Sequence, residues 1–219
     1  MKISVAIDGP AGAGKSTIAK LVAKEFDLMY INTGAMYRAV ALKASQNNLK
    51  PNDIDKICEL IKTMEMHFEN DDLILNGKNV QEELTMPEIS SIVSAYASIP
   101  EVRKMLVKLQ QNMSKKYNVI MDGRDIGTVV LKDSKFKIFL TATPEERADR
   151  RYTELKNRNI DCSYNEILKD IIRRDYEDSN RATDPLRKAD DAIKIDTTGL
   201  NIVEVTEKIN NFIRENFNK

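Results

Sequence analysis

This sequence has little of several things that would have pointed elsewhere. It holds one histidine and two cysteines in 219 residues. Cys58 and Cys162 stand far apart at no metal or redox spacing. That excludes a disulfide framework and a cysteine-held zinc site, and predicts the reduced thiols of a cytosolic protein. His67, alone in a strand-like stretch, reads as an incidental residue and not as a catalytic base. Net charge is missing too: 34 Lys and Arg balance 34 Asp and Glu. Such a balance argues against a chain that wraps long nucleic acid, although it allows a local basic pocket. There is no long apolar run and no basic-then-apolar start, so no membrane partner is expected and the expected location is the cytoplasm. Repeats and low-complexity segments are absent as well.

What is present begins at residue 9. Gly9-Pro10-Ala11-Gly12-Ala13-Gly14-Lys15-Ser16-Thr17 fits G-x-x-x-x-G-K-[ST], the P-loop pattern. Its flanks are in register. Residues 2–8 are apolar and β-branched, as in a buried parallel strand. Ile18, Leu21, Val22 and Phe26 recur at helical spacing. Between strand and helix, glycines let the backbone curl until successive N–H groups converge on phosphate oxygens. The helix N-terminus adds its partial positive charge. These nine residues are expected to hold the phosphates of a nucleoside triphosphate, with Lys15 on the β- and γ-phosphates and the Ser16 hydroxyl on Mg²⁺.

The rest of the chain reads as α/β. A strand at 28–32 precedes a helix carrying Met36, Tyr37, Val40 and Ala41. A further helix starts near Asp53 with Ile54, Ile57, Leu60 and Ile61 on one face. This βαβα order predicts a parallel sheet covered on both faces. Between 64 and 80 the pattern shortens to weak strands broken at Asn70-Asp71-Asp72 and Asn76-Gly77, which predicts a small antiparallel insert. Helices open at Pro87 and Pro100, the second with Val102, Met105, Leu106, Leu109 and Met113 inward. Strands at 118–122, 136–140 and 192–196 complete a core of five. Pro144 starts a helix, and Ser163-Tyr164-Asn165-Glu166 resembles a capping box at the head of a long one. A last helix carries Ile202, Val205, Ile209, Phe212 and Ile213.

A P-loop says nucleoside triphosphate, not what is done with it. A regulatory GTPase would need N-K-x-D, which is absent. Asp196-Thr197-Thr198-Gly199 matches D-x-x-G, but only one helix follows it, so it reads as a strand end and turn. A motor or ATPase module would bring longer domains. A small-molecule kinase needs a pocket for an anionic acceptor, and arginines can line one. Eight of the twelve arginines fall between Arg147 and Arg187. Arg147, Arg150 and Arg151 share one helix, Arg173 and Arg174 the next, and Arg181 and Arg187 lie beyond. Interleaved acids could simply pair with them at the surface; their density favours phosphate. Asp122-Gly123-Arg124-Asp125-Ile126-Gly127-Thr128 follows a buried strand, whose tip in a parallel sheet borders the ligand crevice. Asp122 is there a candidate Mg²⁺ ligand, and Arg124 and Asp125 are candidates to face the acceptor. The alternative is plain turn chemistry.

With these pieces in place the chain resembles the bacterial cytidylate kinases over nearly its whole length. The resemblance rests on the stretch 8–17, on Asn32-Thr33-Gly34-Ala35-Met36-Tyr37-Arg38, on 122–130, and on Arg173-Arg174-Asp175-Tyr176-Glu177-Asp178-Ser179-Asn180-Arg181. It implies one P-loop kinase domain over 1–219 with a five-stranded parallel core sheet. An acceptor-binding insert is implied at about 64–99 and a helical lid at about 144–190. It also implies ATP- and Mg²⁺-dependent phosphorylation of CMP and dCMP. Lys15, Arg174 and Arg181 would act on the transferring group. Thr33, Tyr37, Ser94, Arg103, Arg124, Asp125, Arg174, Asp178 and Arg181 would contact the acceptor nucleotide or that group. Thr33 stands where the family often has serine, and Ser94 and Arg103 are placed by register from Pro100. A monomer is expected. The rival expectations are a kinase for UMP, AMP, shikimate or a coenzyme precursor, and a nucleotide-dependent binding module.

Overall fold

In the computed structural model, which describes residues 2–217, the apolar runs become strands and the amphipathic stretches helices. The order is β1 (Ser4–Asp8), α1 (Lys15–Phe26), β2 (Met29–Asn32), α2 (Thr33–Gln46), α3 (Ile54–Lys62), β3 (Met66–Glu69), β4 (Asp72–Leu75), β5 (Lys78–Asn79), α4 (Gln81–Leu84), α5 (Pro87–Ala97), α6 (Pro100–Lys116), β6 (Val119–Gly123), β7 (Phe136–Thr141), α7 (Pro144–Asn157), α8 (Tyr164–Asn180), β8 (Ile193–Asp196) and α9 (Ile202–Asn216). Five strands form one sheet in the order β2-β6-β1-β7-β8, every pair parallel. All five residues of β6 are buried, as a strand covered on both faces requires.

Alternation along β1 divides the core. Ala6 joins Ile31, Met36, Val40, Val102, Leu106 and Met121 on one side. Val5 and Ile7 join Ile18, Val22, Ile120, Ile138, Ile209 and Ile213 on the other, under α1 and α9. Register then sets the site: Asp8 lies beside Gly123, and Asn32 beside Asp122. The carboxyl ends of β1, β2 and β6 therefore finish together, where ligands of parallel sheets bind.

The insert is an antiparallel sheet, β3-β4-β5. Asn70, Asp71, Asn76 and Gly77 all take positive φ, between 49° and 76°. Tight hairpin turns need that, and asparagine, aspartate and glycine tolerate it. Phe68, Leu73 and Leu75 pack into the α2 side of the core. His67, read as incidental, faces solvent and meets Glu69 at 2.9 Å.

Several inward assignments turn outward. Leu21, Leu109 and Ile202 are exposed. On α6 the buried line runs Val102, Leu106, Gln110, four residues at a step, so Leu109 falls off its edge. Ser163 precedes α8 as expected but makes no side-chain capping bond. The reciprocal capping box instead heads α9, between Asn201 and Glu204. Asp196-Thr197-Thr198-Gly199 is the expected turn: the Thr198 amide donates to Asp196, and Gly199 has φ +69°. Among the described residues, no helix is long and apolar enough to cross a membrane. Two elements were not foreseen, the short α4 and one wide π-type turn over Ile126–Val130.

Candidate active site

The loop between β1 and α1 depends on its glycines. A Cβ on Gly9 would collide with the Leu140 carbonyl, and Gly14 enters α1 at φ +81°. No side chain caps that helix, so its first amides face the loop's concavity as an anion site. Lys15 is 6% exposed, and its ammonium donates to the Pro10 carbonyl at 2.7 Å. Burial, and then the nearby Arg124, hold its pKa well below the usual lysine value, against the pull of Asp122, Asp178 and Asp8.

Three hydroxyls converge on Asp122 at the tip of β6. Ser16 Oγ donates to Oδ2 at 2.8 Å, Tyr30 OH to Oδ1 at 2.9 Å, and Thr33 Oγ1 to the Asp122 carbonyl at 2.7 Å. Thr33, expected to contact the acceptor nucleotide or the transferring group, here gives its hydroxyl proton to the backbone. Ser16 and Asp122, the two candidate metal ligands of the sequence, thus lie side by side. No group of three or more His, Cys, Asp or Glu residues among those described could enclose a metal. A hard, hydrated Mg²⁺ needs only one or two protein oxygens beside substrate phosphates, so this donor set fits it.

Arg124 lies near the P-loop lysine, and Arg38 and Arg174 lie near Arg124, with Asp178 as the nearby counter-charge. Arg124 Nε donates to Asp178 Oδ2 at 2.7 Å. Burial alone would raise Asp178; Arg124 beside it holds the carboxyl below the usual range. Burial lowers Arg174, with Arg124 adding. Burial pushes Arg38 down to about 10, with Arg174 adding. The Nε groups of Arg38 and Arg174 are buried and have no hydrogen-bond partner. Buried donors of that kind are costly unless an anion satisfies them. Arg38 was quoted in a motif but given no role. Its signal was its isolation: it is the only arginine before Arg103, five residues beyond the start of α2.

A second cluster adjoins the first. Arg103, 1% exposed, donates to Asp125 Oδ2 at 2.5 Å, to Asp184 Oδ2 at 2.9 Å and to the Ala97 carbonyl at 3.1 Å. Its guanidinium lies 5.4 Å from the centre of the Tyr37 ring. The Tyr37 hydroxyl is buried without a partner. Arg181 stands 3.5 Å from Asp125 Oδ1 and 3.8 Å from Asp178 Oδ1. Burial raises the Asp125 carboxyl despite Arg103 and Arg181.

The structure therefore brings together Lys15, Ser16, Asp122, Thr33, Tyr37, Arg103, Arg124, Asp125, Arg174, Asp178 and Arg181. Ser94 is half-buried on α5, and its hydroxyl bonds to none of them. Other arginines of the dense segment have different duties. Arg151 pairs with Glu154, and Arg173 with Asp170 and Glu177, each within its own helix near the surface. Arg147 is a buried brace. It grips Asp175 of α8 through two bonds, at 2.5 and 3.0 Å, and donates to the Ala11 carbonyl of the P-loop at 3.0 Å. Arg150 donates to the hydroxyl and carbonyl of Thr197.

A family model described as cytidylate kinase matches residues 5–215. A protein named cytidylate kinase from Clostridium perfringens is 65% identical over 213 residues, covering 97% of this chain and 98% of that protein. Another of that name from Clostridium acetobutylicum is 61% identical over 213 residues, with the same coverage. Among solved structures, a shikimate kinase from Bacteroides thetaiotaomicron has a TM-score of 0.50 at 12% identity, covering 97% of this chain and 98% of that one. An uncharacterized protein from Eubacterium ventriosum has a TM-score of 0.53 at 13% identity, covering 98% of this chain and 99% of that one. At such identities the structures speak for the fold alone.

Proposed function

This chain belongs to the cytidylate kinase family, and from that premise we infer how its residues carry out the ATP-dependent phosphorylation of CMP and dCMP. The observation that carries the reading is the pair of adjoining clusters. One is a buried group of cations with unsatisfied donors beside the P-loop; the other is the Arg103–Asp125 pair next to it.

The P-loop amides and the start of α1 bind the triphosphate, and Lys15 exchanges its Pro10 carbonyl for phosphate oxygens. Ser16 and Asp122 would hold Mg²⁺, which would supply positive charge to the triphosphate. Arg38, Arg124, Arg174 and Arg181 bind the acceptor phosphate and share the charge that spreads over the transferring group. Asp178 orients Arg124 for that task. The acceptor phosphate is largely dianionic at neutral pH and needs no general base. That agrees with a site lacking histidine, since His67 lies on the outer face of the insert.

Asp125 and Arg103 read the base. A carboxylate accepts from the 4-amino group of cytosine and repels the 4-carbonyl of uracil, while a guanidinium donates to the acceptors both bases share. Tyr37 flanks Arg103, Ser94 completes the pocket, and Thr33 fixes the strand tip. The chain works as one P-loop kinase domain, with residues 64–99 enclosing the acceptor and 144–190 closing over the junction to exclude water. A cytoplasmic monomer is part of the same reading.

A coupled ADP-release assay with CMP, dCMP, UMP, AMP and shikimate tests it. The expected result is the highest kcat/KM for CMP or dCMP. Preference for another acceptor overturns the specificity, and ADP release indifferent to acceptor overturns the kinase assignment.

A further inference from the structure

Asp125 has two claims on its carboxylate. It is the N-cap residue of the wide turn Ile126–Val130, and aspartate in that place ordinarily accepts the first free amides of the turn. Here its side chain makes no cap bond, because its oxygens face Arg103 and Arg181. The amides are taken by a residue of another strand. Asp8 Oδ1 accepts from Ile126 N at 2.7 Å, and Oδ2 accepts from Gly127 N at 2.7 Å. These are charge-assisted lengths. Asp8 is 3% exposed at the end of β1, directly before the P-loop. Gly127 is fitted to the contact: a Cβ there would lie 3.2 Å from Asp8 Oδ2 and 3.3 Å from the Lys137 side chain.

We propose that Asp8 is a positioning residue for base selection, capping the turn in place of Asp125 so that Asp125 stays free to face Arg103 and the cytosine. The inference rests on the reading of Asp125 as the residue that recognises the base. Without Asp8 two buried amides lose their acceptor, and the side chain that stands at the capping position of their turn is the carboxylate of Asp125 itself. Drawn back to cap its own turn, Asp125 no longer separates cytosine from uracil. A merely structural Asp8 would act differently. It adjoins Gly9, so its loss would loosen the P-loop and weaken ATP whichever acceptor is present.

The test measures kcat/KM for CMP and UMP, and KM for ATP, in the full-length protein and its Asp8→Asn, Gly127→Ala and Asp125→Asn variants. Asparagine keeps the size of Asp8 but offers one acceptor oxygen and turns an N–H₂ toward the other amide. Gly127→Ala presses on the same contact from the donor side while leaving the residues of β1 unchanged, and Gly127 is not among the positive-φ positions. Both variants are expected to lower the CMP-over-UMP ratio about tenfold or more, with KM for ATP changed by less than about twofold. If Asp8→Asn does not fold, Gly127→Ala carries the test. An unchanged ratio in folded Gly127→Ala, while Asp125→Asn lowers it, overturns the capping role. A raised KM for ATP with the ratio intact makes Asp8 a P-loop support and overturns it too. If Asp125→Asn also leaves the ratio unchanged, the reading of Asp125 fails first.

Discussion

Replacing Asp125 by asparagine removes one negative charge from a buried pocket while keeping its shape. Arg103 loses the charged partner at 2.5 Å but retains Asp184 at 2.9 Å and the Ala97 carbonyl at 3.1 Å. The cost to folding should therefore stay below the roughly 3–5 kcal/mol of a fully broken buried pair. For CMP, the 4-amino group loses a charged acceptor, worth about 1.5–3 kcal/mol, or roughly 10- to 150-fold in kcat/KM. For UMP the sign reverses, because the new amide can donate to the 4-carbonyl that the carboxylate repelled. The CMP-over-UMP ratio should fall by more than CMP alone loses, and KM for ATP should hold. Steady-state kinetics with both nucleotides at saturating ATP measure it. A ratio equal to that of the unmodified chain would refute the idea that this carboxylate reads the base.

Lys15→Ala should abolish phosphoryl transfer, a loss of several kcal/mol in the transition state, while leaving the melting temperature close to that of the unmodified chain. Its one hydrogen bond is to Pro10, so a variant that unfolds, or one that turns over normally, contradicts the assignment. Arg181→Ala should lower kcat and raise KM for CMP far more than it weakens ATP, since the guanidinium lies between Asp125 and Asp178; an effect confined to KM for ATP argues against it. Burial pushes the Asp8 carboxyl from 3.8 up to about 7, with its two amide partners and Lys15 pulling it back. The folded chain then holds this proton more tightly than the unfolded one. The stabilisation is complete below pH 3.8 and is lost as pH rises through about 7, a change of at most about 4 kcal/mol. Unfolding curves of Asp8→Asn should lack this dependence; parallel profiles for the two proteins would contradict the shift.

What could be read from the chain was mostly local. The P-loop, the five strands and the tight turns at Asn70-Asp71 and Asn76-Gly77 are written in neighbouring residues, and they form where expected. Arginine density was a less selective signal. Arg147 and Arg174 look alike in a sequence, but one is satisfied by Asp175 and a backbone carbonyl, while the other keeps an unpartnered buried Nε. Only the packing of α7 against α8 separates a brace from a candidate phosphate ligand. Asp8 was legible as part of a motif and not as a cap, because its partners lie 118 and 119 residues further along. Leu109 misled for a simpler reason: an apolar residue at the edge of a helical stripe carries the same signal as one at its centre.

Arg147 joins two parts to which the proposed function gives different substrates. Its guanidinium bonds Ala11 in the loop that meets the donor, and Asp175 on the helix that carries Arg174 and Asp178 and ends at Arg181. One rigid planar group cannot follow a movement of the loop without disturbing its grip on the helix. On the proposed function, this side chain would link the donor side to the acceptor side. Such a link has no direction. Whatever factor ATP imposes on the affinity for CMP, CMP imposes on the affinity for ATP, so the order in which the substrates arrive alters the route to the ternary complex but not its total free energy.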